Sequence, residues 1–351
     1  MRIPRSGRTI SGSICRRIPT GTAALRNRCL TDVRLPQRFY RLPVRFDAER
    51  LRAEVEALPA EAWTPHPTGE PGNSAVRLIT VDGGDSDRLN GAMRVTAALE
   101  RSPYMRQVLA SFKVVWSRSR LLRLAPGAVV TPHSDIHHHW FFRVRMHVPI
   151  ITLPQVRFTC DGESVHMAGG EVWIFDNWRT HSVRNPTASE RVHLVADTTG
   201  SAAFWELAAR GQEANAPVEY RPYDAARSET PLTEQALPRP VMSPSEMDLL
   251  ILDMRSELVT EADTAEQRAR LARYHALLVG LGRDWRQLYH FHGEDPAGTE
   301  AYAALRDAVR ERSQAISSGL IMRTNRSVAH KLLEARILKA CLLSAARAEE
   351  H

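Results

Sequence analysis

Apolar and polar positions alternate along VVWSRSRLLRLAPG, RVRMHVPI, EVWIFDNW and RVHLVAD, so the middle of the chain reads as a run of half-buried strands. Pro126-Gly127, Gly162 and Gly169-Gly170 cut that run into short pieces, the punctuation of a jelly-roll or cupin-like double sheet. Upstream the period changes. RLPVRFDAERLRAEVEALP predicts a strand and then an amphipathic helix, with Asp47 as N-cap, Leu51, Val55 and Leu58 as its apolar stripe and Pro59 beyond its end. AVRLITVDGG predicts a strand closed by a glycine turn. SPYMRQVLASF predicts a second helix with Met105, Val108 and Leu109 on one side. Helices of this kind brace the outer sheet of a barrel.

After Ser201 the pattern becomes helical. AAFWELAARG is a short helix, and five prolines (217, 222, 231, 238 and 240) then mark a boundary. From Ser243, SPSEMDLLILDMRSELV carries a capping box with proline just inside it, and TAEQRARLARYHALLVGLG repeats at helical spacing and is expected to stop at glycine. TEAYAALRDAVRERSQAISSG and NRSVAHKLLEARILKACLLSAA predict further helices. The chain therefore divides into a basic segment 1–38, a mainly β domain 39–205 with bracing helices, a Pro-rich linker 206–240 and an α-helical C-terminal domain 241–351. The helical domain could cover the active-site mouth or mediate a homodimer; sequence does not choose.

At 43% hydrophobic and 25% charged residues the composition is that of an ordinary globular protein. No apolar run approaches the ~20 residues that span a bilayer, so no membrane partner is expected. Cys15, Cys29, Cys160 and Cys341 form no CxxC pair, which argues against a zinc knuckle or a disulfide framework and fits a reducing, cytoplasmic setting. The net charge of +7 is local: seven arginines and no acid fall in residues 1–31, which leaves 40 basic against 40 acidic residues elsewhere. A phosphate grip needs clustered positive charge on a folded face, so no nucleic-acid partner is expected. Residues 1–38 read as a disordered tail or a misplaced start, with a transit peptide as the compositional alternative.

Candidate chemistry concentrates in 120–201. His133 and Asp135 stand two apart, so on an extended chain both side chains point the same way, with Ser134 turned aside. His181 follows a hydrophobic strand and can return across a barrel to the same ion. Two imidazoles and one carboxylate make a facial triad that leaves open positions on Fe(II). Arg191 opens the next alternating strand, and its guanidinium fork suits a distal carboxylate held bidentately. His137, His138 and His139 cannot all face one ion and read as a loop over the pocket mouth. Arg118, Arg120 and Arg123 read as solvated or ion-paired, with one of them open to a substrate carboxylate. Trp173, Phe175 and Trp178 read as core first and pocket wall second.

PHSD, RVRMHVPI, GEVWIFDNWRTHSVRN and ERVHLVADTTGS together resemble the aspartyl/asparaginyl β-hydroxylase family, whose bacterial branch includes L-proline cis-4-hydroxylases, over roughly residues 40–201. The resemblance implies a double-stranded β-helix and an Fe(II)- and 2-oxoglutarate-dependent oxygenase that consumes O2 and hydroxylates an unactivated C–H bond of an amino acid or of an Asp/Asn-type peptide residue. It makes His133, Asp135 and His181 the iron ligands and Arg191 the partner of the far carboxylate of 2-oxoglutarate. Arg145 and His147 would line the co-substrate or substrate pocket. One departure is Thr152-Leu153-Pro154 where relatives have Thr-Asn-Pro. Two other readings stand beside this one: a cupin-like metal and 2-oxoglutarate binding or sensor protein without turnover, and a zinc hydrolase, which lacks an obvious general base.

Overall fold

In a computed structural model, the structure describes residues 34–343 except 236 and 238. The basic segment thus lies outside the described residues up to residue 33. Residues 34–38 are part of the fold, with Leu35 only 2% exposed and Arg34 paired with Asp253.

In chain order the strands of the β domain are β1 (Phe39–Phe46), β2 (Thr64–Pro65), β3 (Asn73–Val81), β4 (Met93–Val95), β5 (Trp116–Leu124), β6 (Val129–His133), β7 (Val144–Ile151), β8 (Arg157–Cys160), β9 (Glu163–Val165), β10 (Glu171–Phe175), β11 (His181–Arg184), β12 (Arg191–Thr198) and β13 (Glu219–Arg221). The larger sheet runs β13-β1-β10-β7-β12-β5-β3-β2, with β4 beside β3, and the smaller runs β6-β11-β8-β9. Phe39, Leu124, Phe158, Phe175 and Val183 fill the space between the sheets. This is the jelly-roll double sheet that the punctuated strands imply, in keeping with the double-stranded β-helix that the resemblance implies.

The outer face of the large sheet is covered by helices. Asp47 caps α1 (Ala48–Glu56) by accepting from Arg50 N at 3.0 Å, and Leu51 and Val55 are buried as the stripe requires. Helices α2 (Ala97–Glu100) and α3 (Pro103–Ala110) follow, then the short α4 (His138–Phe141) and α5 (Ala202–Arg210). The apolar sides of α1, α2, α3 and α5 meet Val44, Val76, Met146, Val172 and Leu194 in one buried cluster. Gly170, at φ +78°, lets the chain enter β10 against β1: a Cβ there would lie 2.1 Å from Phe46 O. Helix α5 runs past the expected boundary at 205 to Arg210, and the described part of the Pro-rich segment after it lies along the barrel. β13 pairs with β1, and Trp116 exchanges backbone bonds with Leu232 and Glu234 at 2.8 and 2.9 Å.

The C-terminal region is helical, with α6 (Pro244–Glu257), α7 (Ala265–His292), α8 (Thr299–Ile316) and α9 (Ala329–Leu333). Ser243 caps α6 through Glu246 N at 3.3 Å, but the Glu246 carboxylate reaches His138 at 2.8 Å and does not close the capping box. Helix α7 does not stop at Gly280 or Gly282. It runs on to His292 because Gly282 sits where α6 presses close, with a Cβ there 3.2 Å from Asp248 and Ile251; the actual stop is Gly293, at φ +56°. The last helix is also shorter than its periodicity predicts and gives way to a single π turn, Glu334–Leu338. A small antiparallel pair, Leu258–Thr260 with Leu320–Met322, has no counterpart in the sequence reading. Met247, Leu250, Leu278, Trp285 and Leu333 form the core of this region, and Phe141 and Trp178 of the β domain belong to the same cluster.

Candidate active site

His133 ends β6 and His181 opens β11, and the two residues are direct partners in the antiparallel register. That register puts both rings on one face of the small sheet, with centroids 4.3 Å apart. Asp135 is brought alongside by its own backbone N–H, which donates to Asn177 O at 3.0 Å across the turn before β11. One potential ligand atom from each of His133, Asp135 and His181 lies within 4.8 Å of the others.

The protonation pattern suits a metal. His133 Nδ1 is 2.8 Å from Thr131 O and His181 Nδ1 is 2.9 Å from Arg179 O. A carbonyl only accepts, so each Nδ1 carries the hydrogen and Nε2 is the ring nitrogen that can present a lone pair to a metal. Burial pulls the His181 imidazole down to about 4, so it is neutral at pH 7. Asp135 Oδ2 is buried and has no hydrogen-bond partner among the described residues; Arg145 Nη1 stands 3.2 Å away as an ion pair without hydrogen-bond alignment. Two lone pairs and an orphaned buried carboxylate oxygen fit a divalent first-row cation.

The triad residues His133 and His181 border a cavity of about 370 Å³ whose apolar wall includes Leu122, Leu124, Phe158, Phe175 and Val183. Arg191 lines the same cavity and is 3% exposed. No carboxylate pairs with it among the described residues; His193 Nδ1 accepts from its Nη2 at 2.6 Å, and its Nε has no partner. Burial lowers this guanidinium from 12.5 to about 9. A buried cation left in this state is a receptor for an anion.

Strand periodicity explains the rest. On β12, Arg191, His193, Val195 and Asp197 share a face, and register sets Val195 opposite His147 and Asp197 opposite Arg145. Arg145 and His147 both line the cavity, as their spacing predicts. Arg145, however, is committed: it bridges Asp135 at 3.2 Å and Asp197 at 3.0 Å. Burial alone would raise Asp197, but the Arg145 charge and the His139 hydrogen bond hold it far below the usual carboxylate range. His147 and His193 are held neutral, first by burial and then by the nearby Arg191 charge.

The three consecutive histidines do not form a loop. His137 caps α4, His138 turns to Glu246 on α6, and His139 is buried with Nε2 3.3 Å from Asp197 Oδ2. Phe175 is a pocket wall, with its ring centroid 4.8 Å from that of His181, whereas Trp178 faces the helical region. Of the three strand arginines, Arg120 is bonded to Asp87, and Arg123 to Ser74 and Glu190. Asp197 and His193 escaped the sequence reading, although their i+2 spacing from Val195 and Arg191 on an alternating strand was the available signal.

Residues 47–200 match the family model for aspartyl/asparaginyl beta-hydroxylase, so the resemblance drawn from the motifs holds over nearly the span expected of it. Solved structures with some likeness include a Burkholderia pseudomallei oxidoreductase of the 2OG-Fe(II) oxygenase family, 15% identical with a TM-score of 0.31, covering 54% of this chain and 96% of that one. A Pseudomonas putida prolyl-4-hydroxylase is 16% identical with a TM-score of 0.31, covering 46% of this chain and 92% of that one. The Schizosaccharomyces pombe Cnp3 cupin domain is 7% identical with a TM-score of 0.24, covering 41% of this chain and 70% of that one.

Proposed function

We propose, from the premise that residues 47–200 are a domain of the aspartyl/asparaginyl β-hydroxylase type, that this protein is an Fe(II)- and 2-oxoglutarate-dependent hydroxylase acting on an amino acid or an Asp/Asn-type peptide residue. The observation that carries the reading is the convergence of His133, Asp135 and His181 beside a cavity that also holds the carboxylate-free guanidinium of Arg191. His133 and His181 would hold the metal through Nε2 and Asp135 through Oδ2. Iron(II), when bound, supplies the redox chemistry that couples O2 and the decarboxylation of 2-oxoglutarate, giving succinate and CO2, to hydroxylation of a C–H bond.

Each remaining part of the site has a task this chain performs. Arg191 neutralises the far carboxylate of 2-oxoglutarate in a dry pocket, where such a pair is stronger than in water. Arg145 holds Asp135 from behind and is itself aimed by Asp197. The aromatic and aliphatic wall keeps bulk water from the reacting centre.

Arg118 supports a substrate that bears a carboxylate. It shares the inward face of β5 with Arg120, Leu122 and Leu124. No hydrogen bond or ion pair engages its guanidinium among the described residues; its one contact of note is the Trp140 ring, 5.3 Å away, the same ring that Arg145 touches at 4.9 Å. Burial lowers it and the nearby Asp197 charge does not fully offset this, so a carboxylate there would favour the guanidinium further.

The test is anaerobic addition of Fe(II) and 2-oxoglutarate, which is expected to give a weak visible charge-transfer band that His133→Ala abolishes. Folded parent protein without a band would refute the metal reading. 2-Oxoglutarate binding without succinate release across free amino acids and short peptides would favour the non-catalytic alternative.

A further inference from the structure

We infer that the C-terminal helical region holds the carboxylate ligand loop in place, with Arg336 and Asn325 as positioning residues for the metal centre; this rests on the metal reading above. Two segments fix Asp135. One is the turn whose Asn177 carbonyl accepts its backbone N–H at 3.0 Å; the other is the stretch running from Asp135 into α4, which ends at Phe141. The helical region grips both. Arg336, 2% exposed on the π turn, places its guanidinium carbon 4.1 Å from the Trp178 ring and 5.0 Å from the Phe141 ring. Asn325 Nδ2 donates to Trp178 O at 3.0 Å in a buried bond, one residue beyond Asn177. Arg336 is in turn anchored on α6 by Asp253 at 2.9 Å.

The geometry is more specific than packing requires. An apolar side chain would fill the gap between two aromatic rings, whereas a buried guanidinium is costly unless its partners are set in place. Here its two rings belong to the two segments that flank the ligand, and Asp135, Asn177, Phe141, Trp178 and Arg336 border one small void. A π turn inserted into the last helix brings Arg336 to that position, with Lys339 N bonding to Glu334 O at 3.1 Å. Asp135 lies two residues past the end of β6, outside the strand pairing that fixes His133 and His181. Arg145 holds its carboxylate, but the backbone that carries it is placed by these contacts, and metal affinity depends on that placement.

The experiment uses the full chain and Co(II), whose visible absorption reports binding in the presence of 2-oxoglutarate. Asn325→Ala removes the carbonyl bond, and Arg336→Lys keeps a charge for Asp253 but loses the flat face against Trp178. Each is expected to raise the Co(II) Kd by about tenfold at a temperature where near-UV circular dichroism matches the parent. Leu278→Ala, a cavity on α7, which carries none of the clamp residues, is expected to lower the melting temperature and leave the Kd at its parent value. Parent-like affinity in both clamp variants would overturn the inference. Should either variant fail to fold, hydrogen exchange on the parent decides: Co(II) must slow exchange across residues 324–338, because coupling is reciprocal, and no slowing there overturns the inference. A parent that binds no Co(II) at all would instead overturn the metal reading on which this one stands.

Discussion

Arg191→Met separates function from stability. In the ligand-free fold, burial takes the guanidinium from 12.5 to about 9, a fall of about 3.5, and at ~1.4 kcal/mol for each the charged form is disfavoured by at most about 5 kcal/mol. The group stays charged in both folded and unfolded chains below about pH 9, so at neutral pH the folded state carries this unfavourable energy in full. Methionine removes it while filling similar space. Loss of the charged hydrogen bond to His193 offsets roughly 1.5–3 kcal/mol. The metal-free variant should therefore be more stable than the parent by up to about 2–3.5 kcal/mol, an increase of up to roughly 3–5 °C in melting temperature. 2-Oxoglutarate binding should move the other way. Removing one partner of a buried charge pair costs about 2–5 kcal/mol, which is a loss of some 30-fold to several thousand-fold. Chemical denaturation of the metal-free proteins and calorimetric titration of 2-oxoglutarate into the Co(II)-loaded proteins measure the two effects. A variant that is less stable than the parent yet binds 2-oxoglutarate normally would refute the assignment of Arg191 as an anion receptor.

Metal-free protein should lose stability steadily from pH 6.5 to 4. His181 and His66, each held at about 4, and His139, held at about 3, together with His147 and His193, are neutral when folded but take up protons when unfolded, and Asp176, raised to about 6 by burial, opposes them with one proton. Net uptake of about four protons on unfolding near pH 5 should appear in denaturation curves, and a pH-independent midpoint over that interval would contradict the neutral imidazoles. Arg118→Gln should raise the KM of a carboxylate substrate by roughly tenfold to a hundredfold, and leave that of the corresponding amide nearly unchanged, in a succinate-release assay. Equal effects on acid and amide would remove Arg118 from substrate recognition.

The strands of the barrel were legible because their side chains alternate between a dry interior and a helix-covered face, a period of two that survives in the order of residues. His133, Asp135 and His181 were legible for the same reason, since two lie two apart and the third follows a strand. Arg145 shows where that ends. Its face was readable, but its commitment to Asp197 depends on a strand about fifty positions away. Gly282 misled because glycine marks a helix end when the backbone must turn and a helix crossing when another element must come close. The role of Trp178 was hidden too: an aromatic on a turn has no periodicity to show which of two cores it joins.

The pairing of His133 with His181 has a consequence for how the protein matures. Neither histidine alone is a strong chelator, and the two come together only when strands from distant parts of the chain have zipped with the correct stagger; a slip of one residue would send the rings to opposite sides of the sheet. A chain whose strands paired out of register would therefore lack the two-histidine half of the proposed metal site, so metal binding would report a correctly staggered barrel.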